Sequence, residues 1–294
     1  MSDDYKVRSQ VNADDSGPKG LPDWAKQPLR QFIEYARQEM QLRSLAMSAI
    51  ARTQGMGQLA QALFDLDKSD RKRAQRGSVK KLKAAKVEAK LATEETKGGF
   101  PLLNAHALVG LWGALEALCE DLAVTFLMNE SELLSNDRFA RLRVPLAEFE
   151  ALTREDRMRR VVALAQREFA AAAGATSFEQ VLALVNLDGP VPDDLRKLLW
   201  EAENIRNMIV HRMSIADQRF ADACPWLGYK PGDRVTVKNA SAYGDGMMAY
   251  QMLVINRVRA HFGMKPYQSP ESKASGPAAK RKPRGQVEAQ TNQK

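Results

Sequence analysis

The sequence predicts an all-α protein, an antiparallel helical bundle preceded by an N-terminal helical extension. Two observations predict this class. Apolar residues recur at spacings of three and four along most of the chain, the pattern of amphipathic helices. The joints between these stretches are mostly short, as in helical bundles. The exception is a short β excursion expected at 230–240, where Arg234-Val-Thr-Val-Lys238 alternates as a strand does.

The N-terminal part of the chain is expected to begin with a disordered segment, residues 1–20. A long helix is predicted to open at Pro22 and Asp23 and to run to about Gln54, because an early Pro and a capping Asp are typical of helix starts. A shorter helix is predicted over residues 58–66. Both helices belong to an extension that lies outside the predicted bundle.

The rest of this extension, which spans residues 21–99, is a basic arm. Residues 68–97 contain Ala, Leu, Lys and Glu in helix-forming proportions and end at a Gly-Gly pair. This composition predicts an exposed basic helix or a helix–turn–helix arm.

Residues 100–263 are expected to form the bundle itself. Its helices are predicted at 103–128, 155–172, 177–187, 193–213 and 246–262. A long connection separates the last two. Beyond the bundle, residues 264–294 are rich in Ser, Pro, Gly, Ala and Gln, which predicts a disordered basic tail.

The net charge of the 294-residue chain is +8, and it is unevenly distributed. The arm at 68–97 holds eleven basic residues against four acidic ones, and residues 268–294 hold six against two, so the remainder is mildly acidic. Clustered Lys and Arg gain counterion-release free energy on nucleic acid, which makes the arm a candidate RNA-binding element. The candidate contacts are Arg71, Lys72, Arg73, Arg76, Lys80 and Lys81. The alternative is that the charges only keep a helix and a tail solvated.

Several function classes are disfavoured. Two cysteines cannot form a disulfide framework or a cysteine-rich zinc site, and the three histidines lack metal-binding spacing, so neither a metal nor a cofactor is expected. No targeting segment is recognisable at the N-terminus. The most apolar stretch, 102–128, is interrupted by Glu116, Glu120 and Asp121, so we expect no membrane span and a cytoplasmic location.

One group of residues, on the helix predicted at 193–213, has side chains that could take part in catalysis. Arg206 is followed by Asn207, and His211 comes five positions after the arginine. On an ideal helix the apolar residues form one stripe, with His211 almost opposite to it, Asn207 on the side of His211, and Arg206 at the stripe's edge. The predicted stripe consists of Leu195, Leu198, Leu199, Ala202, Ile205 and Ile209. A buried structural role for His211 is therefore disfavoured, and the alternative to a functional one is a solvent-exposed imidazole without a role.

This spacing is the Arg-x4-His motif of HEPN-type ribonucleases, and the surrounding sequence resembles the RiboL-PSP-like branch of that superfamily. The similar segments are Glu201-Ala-Glu-Asn-Ile-Arg-Asn-Met-Ile-Val-His211, Ile215-Ala-Asp217, Arg219-Phe220, Pro225, Gly232-Asp-Arg-Val235 and Val109-Gly-Leu-Trp-Gly-Ala-Leu-Glu-Ala-Leu-Cys-Glu-Asp121. The resemblance covers roughly residues 100–263. Glu116 lies in its usual place for the branch; from the residues alone it either approaches the motif helix or is exposed. Met213 stands where many HEPN toxins have a tyrosine, which argues against silencing by nucleotide transfer to that position.

The resemblance implies a metal-independent endoribonuclease that works as a homodimer, with the motif helices of two protomers forming one composite site. His211 would act as general base or acid, Arg206 would hold the phosphate and stabilise transition-state charge, and Asn207 would orient the histidine or bind the phosphate. The expected substrate is tRNA or other cellular RNA. The expected setting is a toxin–antitoxin or phage-defence system with an antitoxin or other regulator. The alternative is a catalytically silent HEPN-like RNA-binding or scaffolding module.

Overall fold

The computed structural model describes residues 20–67, 75–135, 137–169, 172–237 and 240–267. Within these ranges the regular structure is helical, which confirms the predicted all-α class. The α-helices are α1 (Asp23–Thr53), α2 (Met56–Asp67), α3 (Gln75–Lys97), α4 (Pro101–Asn129), α5 (Leu146–Glu150), α6 (Arg154–Arg167), α7 (Ala175–Leu182), α8 (Asp193–Arg212), α9 (Gln218–Ala223) and α10 (Ala240–His261). Short 3-10 turns follow α4, α7 and α9, at Ser131–Ser135, Ala183–Val185 and Pro225–Leu227.

The long helices lie close to their predicted positions, and the differences concern their ends. The helix predicted over 155–172 ends at Arg167, and the one predicted over 177–187 gives way to a 3-10 turn after Leu182. The last helix begins at Ala240 rather than at residue 246, and the connection before it contains α9. These ends depend on local capping and on tertiary contacts, which apolar periodicity does not report.

The segment predicted as a strand does not form one in the described residues. Arg234 makes a single antiparallel bridge with Ile215. Around this bridge the Val235 amide donates to the Ser214 carbonyl at 2.7 Å and the Ala216 amide donates to the Asp233 carbonyl at 2.9 Å. The pairing stops there because residue 214 has a positive φ and α9 begins four residues later. The side chains of this segment alternate as in a strand, but in the described residues no neighbouring extended segment is long enough to pair with it.

α4 is the central helix of the core. It packs against α1, α6, α7, α8 and α10, so it is buried on most of its circumference. The largest of its fully buried side chains are Trp112, Leu115, Leu118, Leu122, Phe126 and Leu127. This arrangement makes α4 the scaffold on which α8 is positioned.

The first turns of α1 share the same core. Leu21, Ala25, Leu29, Phe32 and Ala36 are buried in one cluster with the apolar residues of α4. Residues 21–36 therefore pack with the bundle. The second half of α1 leads to α2 and α3, which contact each other and expose much apolar and basic surface.

A buried polar network fixes the far side of the bundle. The Glu179 carboxylate on α7 accepts a hydrogen bond from the Tyr250 hydroxyl at 2.6 Å and from Arg257 Nη1 at 2.8 Å, both on α10. Its other oxygen accepts from the Gly189 amide at 2.8 Å. These partners compensate for the cost of removing the carboxylate from water. The network therefore fixes the positions of α7, α10 and the segment leading to α8 relative to one another.

Candidate active site on helix α8

α8 is anchored along one face, and its opposite face becomes exposed at the C-terminal turn. Its buried residues are Leu199, Ala202, Ile205 and Met208, each three positions after the last. Leu195, Leu198 and Ile209, which were predicted in the stripe, are partly buried and pack against the same core. On the opposite face Trp200, Asn204 and Asn207 are half-buried and His211 is exposed. The packing of α8 therefore orients the motif relative to the core as the sequence predicts.

Arg206 is held at the edge of this stripe. Its Nη1 donates to Asn207 Oδ1 at 3.0 Å, and its Nη2 lies 3.6 Å from Glu116 Oε2. The side chain is 25% exposed, and its Nε is buried without a hydrogen-bond partner among the described residues. The guanidinium is thus held at both terminal nitrogens, and several of its five N–H groups, including the buried one on Nε, keep no described partner.

Glu116 reaches this guanidinium from α4. Its Oε1 accepts a hydrogen bond from Trp112 Nε1 at 2.8 Å, one turn earlier on the same helix, and its side chain is 43% exposed. Of the two alternatives left open by the sequence, approach to the motif helix is the one that occurs. The buried indole fixes the carboxylate, and the carboxylate in turn limits the positions available to Arg206.

Glu203 is a second carboxylate at this site, and it was not among the site residues predicted from the sequence. It lies one turn before Arg206 and accepts a hydrogen bond from the Gly174 amide. Burial raises the pKa of the Glu203 carboxyl, and the charge of Glu116 raises it further, while the Gly174 amide and Arg206 act in the opposite direction. The only signal in the sequence was its position, three residues before the motif arginine.

Gly174 makes this contact in a conformation that suits glycine alone. Its φ is 62° and its ψ is −140°, and a Cβ there would lie 3.1 Å from the backbone N and Cα of Trp200. The segment that leads into α7 therefore lies directly against α8, and the Gly174 amide faces the Glu203 carboxylate.

His211 occupies the last turn of α8 and is exposed. A cationic or hydrogen-bonding side chain is favoured there because the C-terminal end of a helix carries partial negative charge. Among the described residues the imidazole makes no hydrogen bond or ion pair. The helix stops directly after it, since Met213 takes the left-handed conformation at φ 52°. The imidazole is thus free to meet a ligand or another chain.

Three exposed apolar side chains are close to His211 in the sequence. Val210 precedes it on α8, and Met213 and Ile215 follow the end of the helix. Met213 is 87% exposed, the highest exposure among the large apolar residues described. Large exposed apolar side chains are candidates for contact with another molecule.

The structure brings Arg206 and Asn207 together with Glu116, and it leaves His211 apart from the arginine. On the helix the side chains of Arg206 and His211 diverge by about 140°, whereas Asn207 and His211 diverge by about 40° and lie one turn apart. Within one protomer the site therefore consists of a tethered guanidinium on one side and an exposed imidazole on the other.

No group of three or more His, Cys, Asp or Glu side chains in the described part of the chain could hold a metal ion. Cys119 and Cys224 are buried and unpaired, and burial raises the pKa of both thiols. His261 contacts Glu130 at 2.9 Å and has a structural partner. The described residues thus offer no second site of comparable chemistry.

The predicted RNA-binding residues can be located only in part. Lys80 and Lys81 are exposed on α3. Arg71, Lys72 and Arg73 lie outside the described residues, as does the side chain of Arg76.

Comparison of the chain with protein-family models, with curated proteins and with solved structures gives no match. Over the residues with described coordinates, none of the helices combines the length and apolar character that crossing a membrane requires.

Proposed function

We propose that the protein is a metal-independent endoribonuclease of the HEPN type, in which the α8 helices of two protomers form one composite site. The observation that carries this proposal is the position of the three side chains on α8: Asn207 and His211 lie away from the core, and Arg206, at the edge of the buried stripe, is held by Asn207 and Glu116. A phosphate-binding cation and a proton-transfer group are the two functions that cleavage of RNA through its own 2′-hydroxyl requires.

The proposed reaction uses these groups without a metal. A His211 imidazole removes the proton from the ribose 2′-hydroxyl, and the oxygen attacks the adjacent phosphorus. The bond from phosphorus to the 5′-oxygen breaks, which leaves a 2′,3′-cyclic phosphate, and the departing 5′-oxygen takes a proton from the second protomer's His211. Arg206 stabilises the additional negative charge on the phosphoryl oxygens in the transition state. DNA lacks the 2′-hydroxyl and is not a substrate for this step.

A two-fold arrangement supplies what one protomer lacks. Because Arg206 and His211 diverge around α8, a second α8 crossing the first would bring the histidine of one protomer towards the arginine of the other. The exposed apolar side chains of Val210, Met213 and Ile215 provide the surface that such a crossing would bury.

Glu116 would act as a positioning residue. It limits the freedom of the Arg206 guanidinium, so the cation is oriented before RNA binds. The Arg206 N–H groups that make no hydrogen bond within the protein are the donors available for a phosphoryl oxygen.

In the cell the proposed substrate is tRNA or other cellular RNA, and the proposed role is that of a toxin or phage-defence effector in the cytoplasm. A nuclease of this kind needs restraint, so an antitoxin or other regulatory protein is a proposed partner. Restraint by nucleotide transfer to residue 213 is not proposed, because methionine has no hydroxyl to accept the nucleotide.

The alternative is a catalytically silent bundle that binds RNA or scaffolds other proteins. The observation that favours it is the engagement of Arg206 by Glu116 and Asn207, because a guanidinium already paired has less affinity for phosphate. In that case the exposed histidine would contribute only to binding.

RNA cleavage by the purified full chain separates the two. The proposed function requires cleavage that persists in EDTA, gives 2′,3′-cyclic phosphate ends and is lost by a factor of at least about 100 in His211→Ala. His106→Ala, which removes an exposed histidine outside the motif, is the matched control and should cleave like the wild type. Equal cleavage by the His211→Ala and wild-type proteins would overturn the proposal. RNA binding without cleavage by the wild type would favour the silent module.

A further inference from the structure

α2 and α3 enclose a groove that the proposed catalytic site does not use. The two helices approach closely at Gly57, where a Cβ would lie only 3.1 Å from the Ala89 Cβ. Beside this contact the surface opens into a groove of about 870 Å³. Its lining includes the small side chains of Ala62 and Ala89, so the polar groups that could bind a ligand are those of the other lining residues on α2 and α3 and of Gln54.

One wall is cationic. Lys86, Lys90 and Lys97 line the groove from α3, and all three are exposed. With a rise of 1.5 Å per residue, their positions are separated by about 6 Å and about 10 Å along the helix. The three ammonium groups therefore form a row that runs along the groove.

The opposite wall offers neutral hydrogen-bonding groups. It comprises Gln54 at the end of α1, and Gln58 and Gln61 on α2. Gln54 and Gln61 donate within the protein, to the Ala92 carbonyl at 3.5 Å and to Asp65 Oδ2 at 3.0 Å. Because a primary amide both donates and accepts, these side chains keep capacity for a polar ligand.

Two carboxylates also line the groove, and three lysines against Asp65 and Glu94 leave the lining with a net charge of +1. Lys90 Nζ lies 3.9 Å from Glu94 Oε1, and the two side chains are 79% and 60% exposed. Exposed ion pairs of this length contribute little free energy, so a phosphate can replace the carboxylate at the lysine. Asp65 lies on the α2 wall with Gln61.

The openness of the groove and its row of lysines select the class of ligand. Small-molecule sites are enclosed, whereas this groove is open along its length, and its lysines and amides lie over a mainly apolar lining. Two packed helices lie about 8–10 Å apart, which is too narrow for a nucleic-acid duplex to enter between them. An extended polyanion of single-chain width is the ligand that fits.

We propose that the α2–α3 groove binds the phosphodiester backbone of single-stranded RNA, with Lys86, Lys90 and Lys97 each contacting a phosphate along the strand. The choice of RNA over DNA rests on the proposed function; the groove itself recognises the phosphodiester chain. No aromatic side chain lines it, so it does not stack bases and binds without sequence preference. The groove captures the strand, and α8 cleaves it.

The test measures binding separately from cleavage. The probe is a short, fluorescently labelled single-stranded RNA with 2′-O-methyl riboses, which cannot undergo 2′-hydroxyl attack. Its affinity for the full chain is measured by fluorescence anisotropy over a range of salt concentrations. Lys86→Gln/Lys90→Gln/Lys97→Gln should weaken binding at least about tenfold at ~0.1 M salt, and should lower the salt slope by about 2, since each single-strand phosphate contact contributes about 0.7.

Two further variants separate the groove from net charge. Arg141→Gln/Arg143→Gln/Lys265→Gln removes three exposed cations outside the groove and should bind like the wild type. Gly57→Leu forces α2 away from α3 without changing any charge and should weaken binding, with circular dichroism checking that the helices persist.

The inference is overturned if the groove triple binds like the wild type, if the control triple loses as much affinity, or if only a duplex probe responds to the groove substitutions. Loss of binding in the groove triple supports it even where the wild-type protein cleaves no RNA, an outcome that overturns only the proposed function. If the protein cleaves RNA in a reaction that needs His211, but binds RNA equally well without the groove lysines, only this inference is overturned.

Discussion

The Glu116 carboxylate on α4 lies 3.6 Å from Nη2 of Arg206 on α8, and it is the contact that joins the central helix of the core to the motif. The indole of Trp112 donates to the other oxygen of Glu116, so the position of Arg206 is set by a side chain in the middle of the hydrophobic core. This arrangement predicts that substitutions on α4 change the chemistry of α8.

Glu116→Gln should lower RNA cleavage about tenfold while leaving the protein folded. The amide keeps the hydrogen bond from Trp112 but loses the charge that orients Arg206, and an exposed ion pair contributes at most about 1 kcal/mol to stability. Single-turnover cleavage and thermal unfolding measure the two effects. Glu120→Gln, on the exposed side of the same helix, is the control, and equal cleavage by both variants would contradict a positioning role for Glu116.

Glu203 predicts a pH dependence of stability. Because its carboxyl has a raised pKa in the folded protein, folding favours the protonated form, and the stability that this group confers is complete at low pH and decreases as the pH rises above about 4.5. Glu203→Gln keeps an acceptor for the Gly174 amide and has no charge to bury. The variant should therefore match the wild type in acid and be more stable at neutral pH.

Urea unfolding of both proteins at several pH values between about 4 and 8 measures this difference. Glu132→Gln, which removes an exposed carboxylate, should show no such pH-dependent gain. A Glu203→Gln protein that is less stable than the wild type at neutral pH would mean that the charge itself is required.

The sequence predicted the helices of the site well because burial of α4 and α8 depends on periodic apolar residues. It placed Arg206 at the edge of the stripe on the same basis. Glu203 could not be found in this way, because its environment comes from Gly174, 29 positions away in the chain and in an irregular segment. Apolar periodicity describes a single helix, and it does not reveal which loop packs against its polar side.

The same limit explains the strand that did not form. The alternating residues at 234–238 predicted a strand, and Val235 and Val237 are buried in the structure. The alternation does not reveal that the segment of the same protein that pairs with it turns away after a single bridge at Ile215. Similarly, α1 was assigned to an extension because the family resemblance begins near residue 100, although the apolar face of its first half packs against α4.

Gly174→Ala should destabilise the protein by about 1–3 kcal/mol. The backbone at residue 174 adopts a conformation that is unfavourable for alanine. The added Cβ would also lie 3.1 Å from the Trp200 backbone. Gly113→Ala is the matched control, because a Cβ at that helical position on α4 meets nothing within 4 Å. That variant should gain about 0.5–1 kcal/mol from the lower entropy of its unfolded chain. Chemical denaturation measures both, and equal effects would show that the strain at Gly174 is unimportant.

Met213→Glu should dissociate the proposed dimer and reduce RNA cleavage in parallel. Met213 is 87% exposed beside His211, so the substitution removes little from the fold of one protomer. In a symmetric interface it places two like charges near the two-fold axis, where their burial and repulsion cost several kcal/mol. Sedimentation velocity and the cleavage assay, performed at the same protein concentrations, measure the two consequences.

Leu146→Glu is the control for this substitution, since Leu146 is 72% exposed and lies on α5, outside the motif. It should remain dimeric and active. A wild-type protein that cleaves RNA as a monomer, or a Met213→Glu dimer with full activity, would place the interface elsewhere. Loss of the dimer with cleavage retained would contradict the composite site itself, because each protomer would then have to unite Arg206 and His211 despite their divergence of about 140° around α8.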